Sequence, residues 1–449
     1  MPPALTEPKP APPRPLYRKL QPRGSGLDRE GVARDQRLRL IGAMIEVAGS
    51  EAGYAGVNIK LLSALAGVSR QTFYDRFGTT EACFLATYEY VVGRAARHVG
   101  DAYRAEEDSD CKLRAAFDAY AAEVVSEPKA ARLALVEVLG AGPAALEERE
   151  RGRQEFERMI SASFSDAADG VTLPPLIVKG IVCGVERITR QRLLAGDVKE
   201  LPALADDLLA WALSYRSPGA GALAAAWPAY CDGLAPCCPR ARVENDRARM
   251  LSSAARIAAA NGYGRLTPAQ IVCGAGVSEA RFDQLFQSTE QCFLDALDRL
   301  GLEALVCAAR ASQSSEDRLV GVHRGMTALM RHIATHPLLV RVAFLEIFAV
   351  GPAGIQRRER LLGQFTDQLV RSLPRLRAPS RLEAEASVGA IWGIVHHHVT
   401  QGPAGRLPQL AEPATYLALA PAIGGEAAAR VILADSTRVV AVTQNSLGT

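Results

Sequence analysis

Side chains able to read nucleic-acid bases are grouped close together near residue 70. Arg70 can donate two hydrogen bonds to guanine, and Gln71 can pair bidentately with adenine. Thr72 offers a hydroxyl and a methyl group, and Tyr74 can donate a hydrogen bond to a phosphate. This chemistry suits the major groove of a DNA duplex, provided that all four side chains face outward.

A helix-turn-helix arrangement would position this group. Asn58 is a favourable N-cap for a helix that continues to about Ala66, and Gly67 can adopt the positive φ that ends it. Ser69 is suited to cap the next helix, while Val68 can fill the gap between two crossing helices. The spacing therefore predicts two short helices joined by a tight glycine turn.

Two phenylalanines would orient the second helix. Phe73 and Phe77 share one helical face, so we expect them to be buried and the polar side chains to be turned outward. Residues 58–77 carry three cations, among them Lys60, against one carboxylate, which gives a net charge of +2. A plain helical hairpin with a solvated polar face would show the same spacing, so the pattern alone leaves both interpretations open.

The composition limits what the rest of the chain can be. A length of 449 residues predicts about two to four domains. With 48% hydrophobic and 22% charged residues, the composition is typical of a soluble globular protein, and the rarity of β-branched alternation predicts an all-α fold. Because the net charge is only +3, any nucleic-acid site must be a local basic patch.

The sequence gives no indication of a membrane, metal or catalytic protein. The nine scattered cysteines and the lack of an apolar signal region predict reduced thiols and a cytoplasmic location. The longest low-charge stretch, 217–231, is broken by Pro and Gly and is too short for a membrane helix. His396, His397 and His398 would point in three directions on a helix, so we expect no metal site. Without a P-loop or nucleophile motif, neither a cofactor nor an enzymatic activity is expected.

The chain repeats itself at an offset of 209 residues. Over positions 53–85, 13 of 33 residues are identical to those found 209 positions later, including the run 66–69 and its counterpart 275–278. Further downstream, Gly184 meets Gly393 at the same offset. One offset that holds over more than 130 residues indicates a tandem duplication rather than chance.

The duplication predicts two units of one plan, with further segments at the ends and between them. The basic, Pro-rich N-terminal segment is either a solvated tail or an arm that reaches a minor groove. The predicted segments are 1–36, a flexible basic arm; 37–94, a helix-turn-helix DNA-binding domain; 95–216, a helical effector and dimerisation domain; 217–244, a linker; 245–303, a second, degenerate helix-turn-helix domain; 304–424, a second helical effector and dimerisation domain; and 425–449, a C-terminal tail.

The second helix-turn-helix keeps the core residues and loses the reading residues. Glu279, Ala280, Arg281 and Asp283 stand where the first copy has its four reading residues, and residues 267–286 have a net charge of −1. Phosphates repel an acidic helix, although Glu can accept from cytosine, so this copy is either structural or reads a different half-site. The retained core residues are Gly276, Val277, Ser278, Phe282 and Phe286.

The stretch from Gly53 to Val92 resembles the N-terminal domain of the TetR family of transcriptional regulators. The run AGVSRQTFYDRF at 66–77, followed by an acidic residue and an aromatic-rich fourth helix, carries the resemblance. The resemblance implies a three-helix DNA-binding domain followed by a helical domain that dimerises and binds a small apolar ligand. Members of the family usually repress transcription, and ligand binding changes the spacing of two recognition helices.

The resemblance also implies which residues face double-stranded DNA. The family often has a lysine before the acidic residue that opens the fourth helix, whereas this chain has Thr80 before Glu81, a weaker phosphate contact. The expected helix-turn-helix core is Ala66, Gly67, Val68, Phe73 and Phe77. The expected DNA-binding residues are Asn58, Lys60, Ser69, Arg70, Gln71, Thr72, Tyr74, Arg76 and Thr80.

The effector domains leave two questions open. Their apolar stripes are more typical of core packing than of a ligand cavity, so the expected cavity rests on the resemblance. Gly180 and Gly184, with Gly389 and Gly393, predict close helix packing, either between the halves of one chain as a pseudo-dimer or within a homodimer of whole chains. We therefore expect a ligand-controlled, DNA-binding transcriptional regulator. The alternative is a ligand-sensing or protein-interaction scaffold that binds DNA weakly.

Overall fold

The computed structural model of the protein is built from helices. It describes residues 28–167, 170–217, 219, 221, 245–374, 379–401 and 404–446. No strand occurs within these ranges, and the prediction of an all-α fold is confirmed. Most of the predicted N-terminal arm and almost all of the predicted linker lie outside the described residues.

The first four helices contain the predicted helix-turn-helix. Helix α1 begins earlier than expected, because Asp28 caps it by accepting a hydrogen bond from Gly31 N at 2.7 Å. Residues 29–36 are therefore helical rather than part of a loose arm. The buried face of α1 includes Leu40, which is fully buried, whereas Leu38 is 39% exposed. The helices are α1 (Arg29–Ala48), α2 (Ile59–Ala66), α3 (Arg70–Phe77) and α4 (Thr80–Ala105).

Five more helices precede the linker. Pro128, Pro143 and Pro175 occupy the first positions of three of them, where the fixed φ of proline suits a helix start and its missing N–H is not needed. Two 3₁₀ segments, Glu137–Leu139 and Val198–Leu204, connect the longer elements. The helices are α5 (Ser109–Ser126), α6 (Pro128–Leu135), α7 (Pro143–Asp166), α8 (Pro175–Ala195) and α9 (Ala205–Leu213).

The chain after the linker follows the same order of helices. Both ends of α11 and α14 coincide with those of α2 and α5 when the offset of 209 is applied. A π-helical segment, Val342–Glu346, and a short turn, Ile347–Ala349, follow α15. The helices are α10 (Asp246–Asn261), α11 (Pro268–Ala275), α12 (Glu279–Leu285), α13 (Thr289–Ser312), α14 (Arg318–Thr335), α15 (Pro337–Arg341), α16 (Pro352–Ser372), α17 (Arg381–Gln401), α18 (Ala411–Ile423) and α19 (Gly425–Ser446).

Helix α19 occupies most of the segment 425–449, which was expected to be only a C-terminal tail. Its residues Ala428 and Ile432 are fully buried, so the segment packs through an apolar face. Asp435 is also buried and accepts a hydrogen bond from Arg324 at 3.2 Å. The sequence reading failed here because the segment follows the end of the repeat and has no counterpart with which to compare it.

The described residues form two compact units. The head unit comprises the residues up to Gly93 together with Lys129–Glu148, and it contains α1, α2 and α3. The body unit comprises Arg94–Pro128 and the described residues from Arg149 onward, and it contains α5, α8, α9, the second helix-turn-helix and the helices that follow it.

Positions 209 apart adopt the same local geometry within their own units. In the head unit, Tyr54 N donates to Glu137 Oε2 at 2.9 Å. In the body unit, Tyr263 N donates to Glu346 Oε2, also at 2.9 Å. Each of these hydrogen bonds ties the segment before the helix-turn-helix to an acidic residue that follows the sixth helix of its half.

Inside the body unit, α8 packs closely against α17. A Cβ placed on Gly184 would lie 2.3 Å from the Trp211 ring and 2.7 Å from Ala386 O. A Cβ placed on Gly393 would lie 2.3 Å from the Cβ of Cys183. Any side chain at these positions would force the two helices apart, so the close packing predicted from the glycines is confirmed.

The remaining features of the described ranges concern membranes and metals. No single helix is long and apolar enough to cross a membrane, and one pair, Arg318–Thr335 with Pro337–Ala349, meets that test only jointly across a 91° bend. No three His, Cys, Asp or Glu side chains of the described ranges are grouped so that they could hold a metal ion. His397 Nδ1 instead lies 3.0 Å from Glu150 Oε1, and burial holds the pKa of His396 well below its usual range.

Candidate DNA-binding surface and ligand cavity

The turn between α2 and α3 has the predicted caps. The Asn58 side chain accepts a hydrogen bond from Leu61 N at 2.9 Å and begins α2. Gly67 ends that helix in the left-handed region, with φ 61° and ψ 41°. Ser69 Oγ then accepts from Thr72 N at 3.0 Å and begins α3. The expected geometry of the two helices is confirmed.

Burial of the aromatic pair is less symmetrical than expected. Phe73 and Ala66 are fully buried, and Val68 is half-buried between the helices. Phe77 is only half-buried, which corrects the expectation that both rings lie in the core. The guanidinium of Arg37 covers its ring at 4.7 Å from the centroid, so a cation–π contact replaces part of the missing apolar packing.

A buried arginine fixes the end of α2, and the sequence reading missed it. Arg39 is 5% exposed, and its guanidinium donates to the carbonyl oxygens of Ala66 and Gly67. Asp35 accepts a further hydrogen bond from Arg39 Nε at 2.9 Å. These contacts satisfy carbonyls that a helix end leaves without partners, and they hold α1 and α2 together. Because the contact to Ala66 spans 27 positions, no local motif reveals it.

Most of the residues expected to bind DNA lie on the outer side of the turn. Lys60, Arg70 and Tyr74 are exposed, and Tyr74 is exposed by 52%. Among the described residues, neither Lys60 nor Arg70 has an ion-pair or hydrogen-bond partner. Gln71 is exposed as well, but its amide donates to Asp75 Oδ1 at 2.9 Å.

Three further residues that were expected to bind DNA form hydrogen bonds with other side chains of the protein. The Arg76 guanidinium donates to Gln36 Oε1 at 3.1 and 3.2 Å, which joins α3 to α1. The Thr72 hydroxyl lies 2.9 Å from Ser69 Oγ. The side chains of Thr72 and Arg76 lie near the outer face, but some of their hydrogen-bond donors already have partners within the protein.

Thr80 is less accessible than its expected role requires. It is half-buried at the first position of α4, and its hydroxyl is hydrogen-bonded to Tyr54, whose pKa is raised chiefly by burial. The preceding residue, Thr79, is exposed and caps α4 by accepting from Ala82 N at 3.0 Å. Thr79 therefore presents the more open hydroxyl at this helix start, which the motif comparison did not indicate.

The second helix-turn-helix is built in the same way. Thr267 and Gln270 form a reciprocal capping box at the start of α11, and Gly276 ends that helix with φ 64°. Ser278 Oγ accepts from Arg281 N at 3.3 Å and begins α12. Val277 is half-buried between the helices. The core phenylalanines Phe282 and Phe286 are both 3% exposed.

The outer face of α12 differs from that of α3. Glu279 and Asp283 are exposed there. Arg281, the single cation of α12, donates to Asp246 Oδ2 at 2.9 Å and to Gln284 Oε1 at 3.0 Å. Hydrogen bonds from Arg249 and Arg281 lower the pKa of the Asp246 carboxyl, which keeps that carboxylate charged and paired. The second recognition helix thus offers two carboxylates and an arginine that already has partners.

A cavity lies among the helices of the second effector half, in the body unit. Its volume is about 110 Å³, counted as the space open to the centre of a water-sized molecule, and the cavity is partly open to solvent. The walls are almost wholly apolar and include a stacked pair, Phe344 and Trp392, with ring centroids 4.1 Å apart. Gln368, Ser312 and Ser372 supply the few polar side chains. The space suits a small apolar molecule.

A comparison with known protein families finds a match over the first helix-turn-helix. Residues 49–87 match the family model described as "Bacterial regulatory proteins, tetR family". The chain carries a TetR-type helix-turn-helix. This TetR-type segment covers α2, α3 and the start of α4, which are the elements that hold the exposed cations.

Searches with the whole chain give less information about its relatives than the family match does. The search of curated proteins found no match to this chain. Among solved structures, the transcriptional regulator FadR from Bacillus subtilis in complex with stearoyl-CoA is similar at 15% identity and a TM-score of 0.36. The alignment covers 39% of this chain and 96% of that one, and at this TM-score it does not establish a shared arrangement.

Proposed function

We propose that the protein is a transcriptional regulator that binds specific sequences of double-stranded DNA through its first helix-turn-helix. The observation that carries the proposal is the outer face of α3, where Arg70, Gln71 and Tyr74 are exposed on a helix anchored by the buried Phe73. Because Arg70 has no partner in the described part of the chain, it can bond to a base without first breaking an ion pair. The family match at 49–87 supports this reading.

Under this proposal, each exposed residue has a distinct role. Arg70 and Gln71 contact base edges, while Lys60 and Tyr74 contact phosphates and set the position of the helix. Gln71 must exchange its hydrogen bond to Asp75 for one to a base. Supporting contacts are assigned to the other expected residues: Asn58, Ser69, Thr72, Arg76 and Thr80.

We infer that the chain is a tandem duplication whose two halves pair as an intramolecular pseudo-dimer, with the domain limits given by the repeat. The offset of 209 and the matched Tyr54–Glu137 and Tyr263–Glu346 hydrogen bonds support the duplication. The contact of α8 with α17 supports the pairing. So does a hydrogen bond between halves from Trp211 Nε1 to Ser387 Oγ at 3.1 Å.

Under this proposal, the second helix-turn-helix serves as a structural copy rather than a reader. Its one recognition-helix cation is paired with Asp246, and its exposed Glu279 and Asp283 would face phosphates across a short distance. The core residues that position α12 are nonetheless all present, which supports a structural role for this helix-turn-helix.

We propose further that a small apolar ligand controls DNA binding, and that the sign of regulation is repression in the cytoplasm. The cavity among α13, α14, α16 and α17 supports the ligand, because an apolar lining with a few polar side chains is typical of small-molecule sites. The alternative, a scaffold that senses a ligand or partner and binds DNA weakly, is favoured by the acidic second recognition helix.

The proposal is tested by titrating the purified full chain onto fluorescent fragments of the DNA upstream of its own coding sequence, in the presence of unlabelled competitor DNA of scrambled sequence. We expect saturable binding to one fragment that the competitor does not remove. Its affinity should fall with salt, because phosphate contacts release counterions. Replacing Arg70 by Ala should weaken this binding.

Two outcomes would contradict the proposal. One is the absence of any fragment bound more tightly than scrambled DNA, which would favour the scaffold. The other is specific binding that Arg70→Ala leaves unchanged while circular dichroism shows an intact fold, which would remove α3 as the reading helix.

A further inference from the structure

We propose that each chain binds one apolar ligand, in the second effector half, and that the first half is permanently closed by its own side chains. This inference rests on the proposed duplication, because it compares positions 209 apart. It assigns DNA reading to the first copy and ligand sensing to the second.

Small residues keep the cavity of the second half open. Ala308, Ser312, Gly325 and Leu329 line it from α13 and α14. A Cβ placed on Gly325 would lie only 3.0 Å from Ala308 O, so even one added carbon would crowd this wall. Three of these four residues, Ala308, Ser312 and Gly325, have short side chains or none, which leaves room at this wall.

The corresponding positions of the first half carry larger side chains. Val99, Tyr103, Ala116 and Tyr120 stand where the second half has Ala, Ser, Gly and Leu. The valine and alanine form a buried cluster with Met159, and both tyrosine rings pack against it. Met159 itself replaces Gln368 of the cavity wall. At these positions apolar atoms of the protein occupy space that the second half leaves open, whereas Cys183 and Ala121 are smaller than their counterparts Trp392 and Met330.

Hydrogen bonds hold the two tyrosine rings in these positions. Tyr103 Oη accepts a hydrogen bond from Ser163 Oγ at 2.9 Å. Tyr120 Oη donates to Thr189 Oγ1 at 3.0 Å, and its ring meets that of Phe156 edge-on at 6.4 Å. A ligand that displaced either ring would leave a buried hydroxyl without its partner, which is unfavourable.

Ion pairs replace the apolar wall on the other side. Leu362 and Val395 line the cavity, whereas Arg153 and Glu186 stand at the equivalent positions of the first half. Arg153 Nε donates to Glu186 Oε1 at 2.7 Å, and both side chains are buried. An apolar molecule would gain little beside charges that must keep their partners.

Helix α17 links the open half to the closed one. Its residues Ile391 and Trp392 line the cavity, while its Gly389 and Gly393 contact Arg187 and Cys183 of α8. A ligand that shifts α17 must therefore also shift its contact with the first half. Within the body unit, the proposed site is therefore connected through α17 to α8 of the first effector half.

The test is a fluorescence titration of the full chain with N-phenyl-1-naphthylamine, an uncharged apolar probe that brightens on burial. We expect one probe per chain. Introducing the first-half residues through Ser312→Tyr with Leu329→Tyr should weaken binding at least tenfold, and the milder Ala308→Val should weaken it several-fold. The reciprocal change, Tyr103→Ser with Tyr120→Leu, should leave the original site at its original affinity and, if the emptied space stays open, add a second.

Several outcomes would overturn the inference. Two equivalent sites in the unmodified chain would show that both halves are open. No probe binding, or unchanged binding to a folded Ser312→Tyr/Leu329→Tyr chain, would show that the cavity is not the site, and so would a reciprocal variant that loses the original site while melting normally. Since the titration contains no DNA, these failures are distinct from a failure of DNA reading, which the Arg70→Ala experiment detects separately.

Discussion

The two helix-turn-helix segments have the same internal construction and opposite outer faces. Gly67 and Gly276 end their helices at φ 61° and 64°, and a serine caps the following helix in both. Outside, α3 presents Arg70, which has no ion-pair partner among the described residues, whereas α12 presents Glu279 and an arginine paired with an aspartate. The residues that mount a recognition helix and those that read DNA are therefore separate sets.

The two effector halves differ in a complementary way. The first half contains two partly buried tyrosines and a buried ion-paired network, whereas the second has apolar walls around an open space. Under the two proposals, these comparisons describe a division of tasks, in which the first copy reads DNA and the second binds the ligand. A duplicated chain can lose one function from each copy as long as the cores and the contact between copies persist.

The largest effect on stability is expected when the buried ion-pair network of the first half is broken at Glu186. Glu186 accepts from Arg149 at 2.6 Å and also pairs with Arg153, so Glu186→Gln leaves two buried guanidinium groups short of a counter-charge. We expect a loss of roughly 3 kcal/mol in the free energy of unfolding, measured by urea denaturation. The exposed Glu200→Gln serves as the control and should be nearly neutral. Equal stability of the two variants would mean that the network does not hold the first half closed.

The same network makes stability depend on pH. Burial would raise the pKa of Glu186, but Arg149 and Arg153 outweigh it and hold that pKa well below its usual range. A carboxyl with a lowered folded pKa stabilises the protein above its unfolded pKa, about 4.3, and this contribution is lost as the pH falls toward the folded value. We expect the melting temperature to decrease as the pH is lowered below about 4.3. The decrease should be less steep in Glu186→Gln. A parallel decline in both proteins would assign the acid sensitivity to other groups.

A smaller and matched effect is expected at the two turn glycines. Gly67→Ala and Gly276→Ala each place a Cβ at positive φ, which costs roughly 1–2 kcal/mol. The cost should be similar in both because a Cβ on Gly276 meets no atom within 4 Å and one on Gly67 comes no closer than 3.6 Å to Arg39. Amide hydrogen exchange in α2 and α11 measures the local loss. A large difference between them would mean that the two turns are not built alike.

The smallest effect, a nearly unchanged DNA affinity, is expected when Arg281 of the second copy is replaced. Arg281→Ala removes a surface ion pair with Asp246 and no contact to DNA under the proposed function. DNA affinity, measured by fluorescence anisotropy, should change by less than about twofold. A clear loss of affinity would instead make α12 a second reading helix.

The sequence predicted local geometry well and long-range contacts poorly. The caps at Asn58 and Ser69 and the turn at Gly67 follow from single residues, and each was found as expected. The role of Arg39 depends on a partner 27 positions away and has no local signature. Whether an apolar stripe encloses a cavity depends on the size of side chains from several helices, which periodicity does not reveal.

The central claim is that the first recognition helix reads DNA and the second does not. It is tested most directly by the dissociation constants of Arg70→Ala and Glu279→Ala, the same position in the two copies, on one upstream DNA fragment. We expect Arg70→Ala to weaken binding roughly 5- to 150-fold, as for the loss of a bidentate base contact worth about 1–3 kcal/mol, and Glu279→Ala to leave it within about twofold. Equal losses in both, or a loss in Glu279→Ala alone, would contradict the account.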